Sequence, residues 1–382
     1  MLTYLSCWAD QFSPLNLFRY VTFRAFMAAG TSFLLSLALG RPFIGWLRRH
    51  RIGQHERTGE EMQSIAHGAK EGTPTMGGGL ILATASAAIL LWGDWSNAPL
   101  WIVLATFLAM GGVGFLDDWL KWKRKDTGGL AEWQKLALQG VWMLVAFALI
   151  RDIPSLREHS QELMVPFSKV AVCTMPLAVT FLFFFFVLVG TTNALNLTDG
   201  LDGLAAGCMA PAAGTYAVFA YAAGHATLAA YLQIPAIPGA HELAIVCSAA
   251  MGACIGFLWW NAYPARVFMG DTGSQALGGL LAMVAILVKQ ELALLIVGGV
   301  FLAEAGSVML QRGFYKLTRR LTGTPRRIFR MAPLHHHFEI IAKEEATQAG
   351  RDSRSAENAV VVRFWIVSIA AALVGLATLK IR

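Results

Sequence analysis

Charged residues are scarce in this chain: they make up 14% of its 382 residues, whereas hydrophobic residues make up 56%. A soluble domain carries about 25% charged residues, so this composition excludes the ordinary soluble class. The apolar residues lie in long runs that lack the two-residue alternation of barrel strands, and open sheets cannot cross a bilayer. The sequence therefore predicts an all-α polytopic membrane protein.

Cysteine is also sparse, and the five cysteines show no spacing typical of a metal site. Acidic residues are outnumbered by basic residues, which gives the chain a formal net charge of +7. In a membrane protein this excess fits basic cytoplasmic loops and anionic lipid headgroups better than it fits nucleic acid. We therefore expect membrane lipids, and no nucleic acid, among the partners of the chain.

Apolar runs of about 20 residues predict about ten transmembrane helices in a single integral-membrane domain over residues 1–382. The polar stretch 311–359 is predicted to be a long cytoplasmic loop that begins as a basic continuation of the ninth span, at 311–330, and ends in a mobile surface segment at 343–358. The ten spans are expected at 22–40, 77–93, 99–116, 132–150, 170–192, 203–222, 242–260, 274–289, 291–310 and 360–379.

The distribution of lysine and arginine indicates the orientation of the chain. Ten spans place both termini on one side of the membrane, and the loops on the other side hold 21 of the 31 Lys and Arg residues. By the positive-inside rule these loops face the cytoplasm, so both termini are expected outside it. The loops concerned are 41–76, 117–130, 193–202, 261–273 and 311–359.

Aspartates cluster where the apolar runs end, and all of the clusters fall on the predicted cytoplasmic side. A charge near hydrocarbon costs on the order of 3 kcal/mol, so such residues are functional candidates. Asp117 and Asp118 close one run. Adjacent side chains on a helix point about 100° apart, so one could hold a metal while the other accepts a proton. The alternative is a helix end whose acids pair with the basic residues of the next turn.

A second acidic string, NALNLTDGLDGLA (193–205), carries Asn196, Asp199 and Asp202 at intervals of three residues. If this string is helical, the three side chains lie on one face. Capping of the following helix would explain one of these residues but not all of them. The string is therefore predicted to form part of a functional site.

A third string, VFMGDTGS (267–274), places Asp271 at the start of a predicted span. A helix N-terminus offers free N–H groups that suit phosphate, and the carboxylate of Asp271 suits a cation. Mg²⁺ is typically held by one or two carboxylates together with substrate phosphates. The alternative is that these residues simply cap the helix.

Two weaker motifs contain basic side chains and histidines. Lys70 precedes the glycine-rich string at 72–79 and could neutralise phosphate, although a basic residue at a cytoplasmic span end is usually topological. His335, His336 and His337 are consecutive. Because three adjacent side chains rarely reach one metal, contact with phosphate or substrate is favoured over a zinc site.

Taken in order, these strings resemble the bacterial phospho-N-acetylmuramoyl-pentapeptide transferases, of the polyprenyl-phosphate N-acetylhexosamine-1-phosphate transferase superfamily. The unbroken histidine triplet is similar to this family rather than to the relatives that transfer N-acetylglucosamine-1-phosphate. The strings are GTPTMGGG (72–79), GFLDDW (114–119), NALNLTDGLDGLA (193–205), FLWWNAYP (257–264), VFMGDTGS (267–274), RIFRMAPLHHHFE (327–339) and VRFWIVS (362–368).

The resemblance implies a ten-helix enzyme of the bacterial plasma (inner) membrane with both termini in the periplasm. It implies transfer of phospho-MurNAc-pentapeptide from UDP-MurNAc-pentapeptide to undecaprenyl phosphate, which gives lipid I and UMP, with Mg²⁺ as cofactor. Members of the family are often dimers, so a homodimer is an open expectation. The alternatives are a sister enzyme that uses UDP-GlcNAc, and a lipid-phosphate transporter, whose ionisable residues tend to lie near the bilayer midplane.

The resemblance also implies roles for individual residues. Asp271 matches the magnesium ligand of the family. Asp117, with Asp118 beside it, matches the aspartate proposed to deprotonate the lipid phosphate, and Asp199 matches a proposed base or nucleophile. His335 matches a histidine near the phosphates and the sugar. Substrate contacts are expected at Lys70, Thr75, Lys135, Asn196, Asp202, Asn261, Phe268, Gln311, His336 and His337.

Overall fold

The computed structural model describes residues 1–50, 73–124, 128–350 and 354–380, and nearly all of their regular structure is helical. The strands β1 (Glu162–Leu163) and β2 (Cys173–Thr174) pair as one short antiparallel hairpin. The all-α prediction is confirmed. The α-helices are α1 (Val21–Arg49), α2 (Gly78–Trp92), α3 (Ala98–Arg124), α4 (Glu132–Asp152), α5 (Pro154–Ser160), α6 (Leu177–Thr198), α7 (Leu204–Ala223), α8 (Ala226–Leu232), α9 (Glu242–Asn261), α10 (Gly270–Leu287), α11 (Leu294–Val297), α12 (Gly299–Thr322), α13 (Leu334–Gln348) and α14 (Arg354–Thr378).

Within the described residues, seven helices are long and apolar enough to cross a membrane, namely α1, α3, α4, α6, α7, α9 and α14. The shorter apolar helix α2 coincides with the second predicted span. Helices α10 and α12 overlap the remaining predicted spans, at 274–289 and 291–310. The protein is therefore a multi-pass membrane protein, as its composition indicated.

The fifth predicted span, 170–192, begins several residues too early, because α6 starts only at Leu177. The apolar residues before it belong to the hairpin, where the Val172 N–H donates to the Leu163 carbonyl (2.9 Å). Pro176 is the N-cap residue of α6. Proline suits a helix start because its missing N–H would have no partner there. Hydropathy alone cannot separate an apolar strand from the helix that follows it.

The stretch 311–359, predicted to be a long loop between two spans, contains helical segments, and its cytoplasmic location stays a prediction. Helix α12 extends to Thr322, and α13 covers both the histidine motif and part of the segment predicted to be mobile. On α13 the buried Glu339 pairs with Lys343 four residues later, at 2.7 Å. Such i,i+4 pairs stabilise a helix whose composition is otherwise polar.

Helix α10 lies at the centre of the bundle, packed among α2, α3, α6, α7 and α9. Each of its residues is buried except Asp271 at its N-terminal end. Glycines allow this close packing: a Cβ on Gly114 of α3 would lie 2.1 Å from the Asp271 carbonyl oxygen, and one on Gly278 of α10 would lie 2.6 Å from the Thr192 Cα of α6. Small residues let membrane helices approach closely. The packing thereby brings the polar ends of α3 and α6 next to the start of α10.

Candidate active site

The ends of four helices bring predicted site residues from distant parts of the sequence together. Asp117 and Asp118 come from α3, Lys135 from the first turn of α4, Asn196 from the last turn of α6, and Asp271 from the start of α10. Oxygen atoms of the three aspartates lie within 4.8 Å of one another. We call these three residues the aspartate cluster. Three carboxylates at this spacing suit a hard divalent cation.

Two lysines bridge the aspartate cluster. The Lys135 Nζ lies 2.7 Å from Asp271 Oδ2 and 3.0 Å from Asp117 Oδ1. The Lys121 Nζ lies 2.5 Å from Asp117 Oδ2 and 3.2 Å from Asp271 Oδ2. Asn196 donates from Nδ2 to Asp271 Oδ1 at 3.0 Å. Two ammonium groups leave three carboxylates with a net negative charge, so the cluster can still attract a cation.

Lys121 is one of the basic residues in the turn after Asp117, which the sequence indicated only as ion-pair partners of the acids on that helix. The structure adds its contact with Asp271, 150 positions later in the chain. The sequence signal was a lysine four residues after Asp117, which is equally typical of an ordinary surface pair. Lys121 therefore joins Lys135 as a candidate cation for an anionic substrate.

The carboxylate of Asp118 caps the N-terminus of α10 from the neighbouring helix α3. It accepts hydrogen bonds from the backbone N–H groups of Asp271 (3.2 Å) and Thr272 (2.9 Å) and from the Thr272 hydroxyl (2.7 Å). The Gly270 N–H donates to Asp199 Oδ2 at 3.1 Å. The prediction that this helix start offers free N–H groups to phosphate is therefore wrong. Two protein carboxylates already occupy the positive end of the helix dipole.

Asp199 and Asp202 lie on either side of the turn after α6 and have different partners. Asp199 is half-buried beside the start of α10. Burial, together with the negative charge of Asp271, raises the pKa of Asp199 to about 8. Such a carboxyl group can take up a proton near neutral pH. Asp202 instead accepts a hydrogen bond from the Ala265 N–H at 3.0 Å, in the loop between α9 and α10.

The Asn261 amide fastens the same loop. Its Oδ1 accepts from the Gly203 N–H at 3.0 Å, and its Nδ2 donates to the Val267 carbonyl at 2.9 Å. Only 3% of Asn261 is exposed. The structure thus gives this residue a supporting role, and its predicted contact with substrate stays a prediction.

Backbone hydrogen bonds join Phe268 to the residues on either side of Thr75 and Met76. The Phe268 N–H donates to the Pro74 carbonyl, and the Phe268 carbonyl accepts from the Gly77 N–H, each at 2.8 Å. Phe268 is half-buried and Thr75 is buried. The start of α2 is thereby fixed next to α10. Lys70, the remaining predicted contact of this string, lies outside the described residues.

His335 is fully buried between α12 and the turn after α6. Its Nδ1 lies 3.1 Å from Glu304 Oε2, and a Cβ on Gly200 would meet its Nε2 at 2.2 Å. Burial lowers the pKa of His335, although the adjacent carboxylate opposes that shift. The ring therefore packs against the turn that carries Asp199, and its predicted role in catalysis stays a prediction.

The other two histidines of the motif have separate partners. The His336 Nδ1 lies 3.0 Å from Glu339 Oε2, and the His337 Nδ1 accepts from the Arg330 N–H at 3.3 Å. Burial alone would raise the pKa of Glu339, but hydrogen bonds from His336 and Lys343 outweigh it and lower that pKa to about 2. Each histidine of the motif thus contacts a different group, an arrangement unlike a shared zinc site.

Gln311 holds the segment that precedes the histidine motif against α12. Its Oε1 accepts from the N–H groups of Ile328 and Phe329, and its Nε2 donates to the Phe329 carbonyl, each at 3.0 Å. All three hydrogen bonds are formed with backbone groups of the protein. Contact with substrate at Gln311 stays a prediction.

Glu304, the partner of His335, was missed by sequence reasoning. The signal was an acidic residue inside an apolar run, FLAEAG (301–306), which was assigned to an ordinary span.

We expect Glu304→Ala to lower the free energy of unfolding by about 1.5–3 kcal/mol, because it leaves a buried imidazole without its charged partner. Thermal unfolding in detergent measures this, with Glu345→Ala at an exposed site of α13 as control. Equal unfolding of the two variants would contradict the expectation.

Comparison with known proteins places these residues in a family. The model of glycosyl transferase family 4 matches residues 100–289, which include the aspartate cluster. The chain is 47% identical over 372 residues to the phospho-N-acetylmuramoyl-pentapeptide-transferase of Solidesulfovibrio magneticus, with 97% of each chain covered. It is 46% identical to the protein of that name from Methylacidiphilum infernorum and 45% identical to the one from Neisseria meningitidis, with 100% of each chain covered.

Proposed function

The chain belongs to the phospho-N-acetylmuramoyl-pentapeptide transferases, and from this membership we infer that it transfers phospho-N-acetylmuramoyl-pentapeptide to undecaprenyl phosphate. The donor is UDP-N-acetylmuramoyl-pentapeptide, and the products are lipid I and UMP. This is the first membrane step of peptidoglycan synthesis. The observation that carries the inference is identity of 47% over 97% of both chains, together with the aspartate cluster at the helix ends.

We propose Mg²⁺ as the cofactor, held by Asp271 with the neighbouring carboxylates of the aspartate cluster. Two observations support a divalent cation at this place. Oxygen atoms of the three carboxylates lie within 4.8 Å of one another, and the three carboxylates together with the two lysines carry a net negative charge. When bound, the cation would neutralise phosphate charge and so reduce the repulsion between two anionic substrates.

The lysines are proposed to bind the diphosphate of the donor. Lys121 and Lys135 each contact Asp271 and Asp117, so each can shift from a carboxylate to a phosphate oxygen without leaving the aspartate cluster. In phosphoryl transfer most of the catalysis comes from positioning and from electrostatic stabilisation. These side chains would therefore orient the β-phosphate and stabilise the charge that develops on the departing UMP.

Direct attack is the mechanism that we favour. An oxygen of undecaprenyl phosphate forms the new bond to the β-phosphorus, the bond from that phosphorus to UMP breaks, and UMP leaves with the electron pair. A phosphate monoester is already a competent nucleophile, and Asp117 can accept its proton. The alternative uses Asp199 as nucleophile through a covalent phosphosugar intermediate. If Asp199→Asn still formed and turned over such an adduct, Asp199 would not be the nucleophile.

We further propose that the aspartate cluster faces the cytoplasm of a bacterial cell, in the plasma (inner) membrane, with both termini in the periplasm. The support is that 21 of the 31 Lys and Arg residues fall in loops on the side of the aspartate cluster. UDP-linked donors are made in the cytoplasm, whereas the lipid acceptor stays in the membrane. A homodimer remains a prediction from the family.

The substrate assignment is tested with the purified full-length protein. We expect UMP release from undecaprenyl phosphate and UDP-N-acetylmuramoyl-pentapeptide with Mg²⁺, and loss of release when EDTA removes the metal. UDP-N-acetylglucosamine in place of that donor is the matched comparison. If UMP were released with UDP-N-acetylglucosamine as donor but not with UDP-N-acetylmuramoyl-pentapeptide, the assignment would be overturned in favour of the sister enzymes.

A further inference from the structure

A layer of three amide side chains, two of them buried and one half-buried, lies one helical turn further along the bundle than the aspartate cluster. It consists of Gln139 on α4, Gln275 on α10 and Asn193 on α6, and we call it the amide layer. Each member shares its helix and its face with a site residue three or four positions away. The pairs are Lys135 with Gln139, Asp271 with Gln275, and Asn196 with Asn193.

Hydrogen bonds connect the three helices within this layer. Gln139 donates from Nε2 to Gln275 Oε1 at 3.4 Å and accepts at Oε1 from Asn193 Nδ2 at 3.2 Å. Asn193 also donates to the Val189 carbonyl on its own helix, at 2.8 Å. Both glutamines are fully buried, and the Gln275 Nε2 has no partner among the described residues. Gln139 is thus the central member and ties α4 to α10 and to α6.

Burying two glutamine amides at one level of an apolar bundle is costly, because polar groups in hydrocarbon lose their hydration. Apolar packing would hold the helices together at lower cost, but it constrains their rotation and sliding less than directional hydrogen bonds do. The same three helices meet one turn above, where Asp271 contacts Lys135 at 2.7 Å and Asn196 at 3.0 Å. A small rotation of any helix at the lower level would change those distances.

We propose that the amide layer positions the site: Gln139 and Gln275 fix the register of α4, α6 and α10 and thereby hold Lys135, Asn196 and Asp271 in place. Neither glutamine contacts the substrate in this proposal, so both are positioning residues. The proposal rests on the transfer reaction proposed above. If the wild-type protein released no UMP, the proposed transfer reaction would be wrong. The proposal for the amide layer is tested separately, by comparing variants with a wild type that does release UMP.

The variants Gln139→Leu, Gln275→Leu and the double variant carrying both separate positioning from simple stabilisation. Each single variant leaves a buried amide without its partner and should lower thermal stability, whereas replacing both partners with apolar groups of similar size should largely restore it. We expect kcat to fall about fivefold to tenfold in each single variant, with KM for the donor within about twofold of the wild type. The double variant should regain stability but keep the low kcat.

Trp142→Phe is the matched control. It removes another hydrogen bond between membrane helices, from Trp142 Nε1 on α4 to Thr106 Oγ1 on α3 (3.0 Å), about two turns from Lys135. This variant should lose some thermal stability and retain the wild-type kcat. Recovery of kcat together with stability in the double variant would overturn the proposal, as would unchanged kcat in both single variants. A drop in kcat for Trp142→Phe equal to those of the glutamine variants would also overturn it.

Discussion

Asp271→Asn is expected to lower the rate of UMP release by about 10³-fold or more, which corresponds to about 4 kcal/mol of transition-state stabilisation. The Asp271 carboxylate is where the contacts of Lys121, Lys135 and Asn196 meet, and it belongs to the aspartate cluster. Asparagine keeps the shape of the side chain but removes its negative charge. The cation would lose a charged ligand, and the two lysines would lose the carboxylate that holds them at the aspartate cluster.

The measurement is the steady-state rate of UMP release over a range of Mg²⁺ concentrations, together with thermal unfolding of each protein. Because Asp271 is the one residue of α10 that is not buried, the variant should stay folded. Asp10→Asn, at an exposed position near the N-terminus, makes the same chemical change away from the aspartate cluster and should keep full activity. If the Asp271→Asn variant released UMP at a rate within tenfold of the wild-type rate, the proposed metal site would be wrong.

Gly114→Ala is expected to lower activity by about 100-fold and to destabilise the protein by about 1–3 kcal/mol, the usual cost of overpacking. The added Cβ would lie 2.1 Å from the Asp271 carbonyl oxygen and 2.7 Å from the Thr272 nitrogen. Both atoms belong to backbone and cannot rotate away, so α3 has to move from α10. That movement would pull the Asp118 cap from the start of α10 and separate the aspartates of the cluster.

Gly112→Ala is the matched control on the same helix. A Cβ at this position has nothing within 4 Å, so the variant should keep its activity. Its stability should be unchanged or slightly higher, because alanine is the better helix former by up to about 1 kcal/mol. Activity and thermal unfolding of the two variants are measured side by side. If the two variants behaved alike, the close approach of α3 and α10 would not be what holds the site together.

The local sequence predicted most of the helices, whereas the side of the membrane on which the site lies stays a prediction. The start of the fifth span was predicted too early, and the helix that carries the histidine motif was not predicted. The two differences share a cause. Apolar residues before Leu177 form a hairpin strand, and polar residues after Leu334 form a helix stabilised by pairs such as Glu339 with Lys343. In both places the structure depends on partners that hydropathy does not detect.

The sequence by itself determined where the apolar runs lie, which loops are basic, and that Asp117, Asp118, Asp199 and Asp271 sit at run ends. These are properties of contiguous residues, and the bilayer acts on them directly. Only the tertiary structure decided that Asp118 caps a helix 154 positions away, that Glu304 holds His335, and that Gln139 contacts Gln275. Such contacts depend on how closely the helices pack and how each is rotated, and these are set by glycines and side-chain shapes on several helices at once.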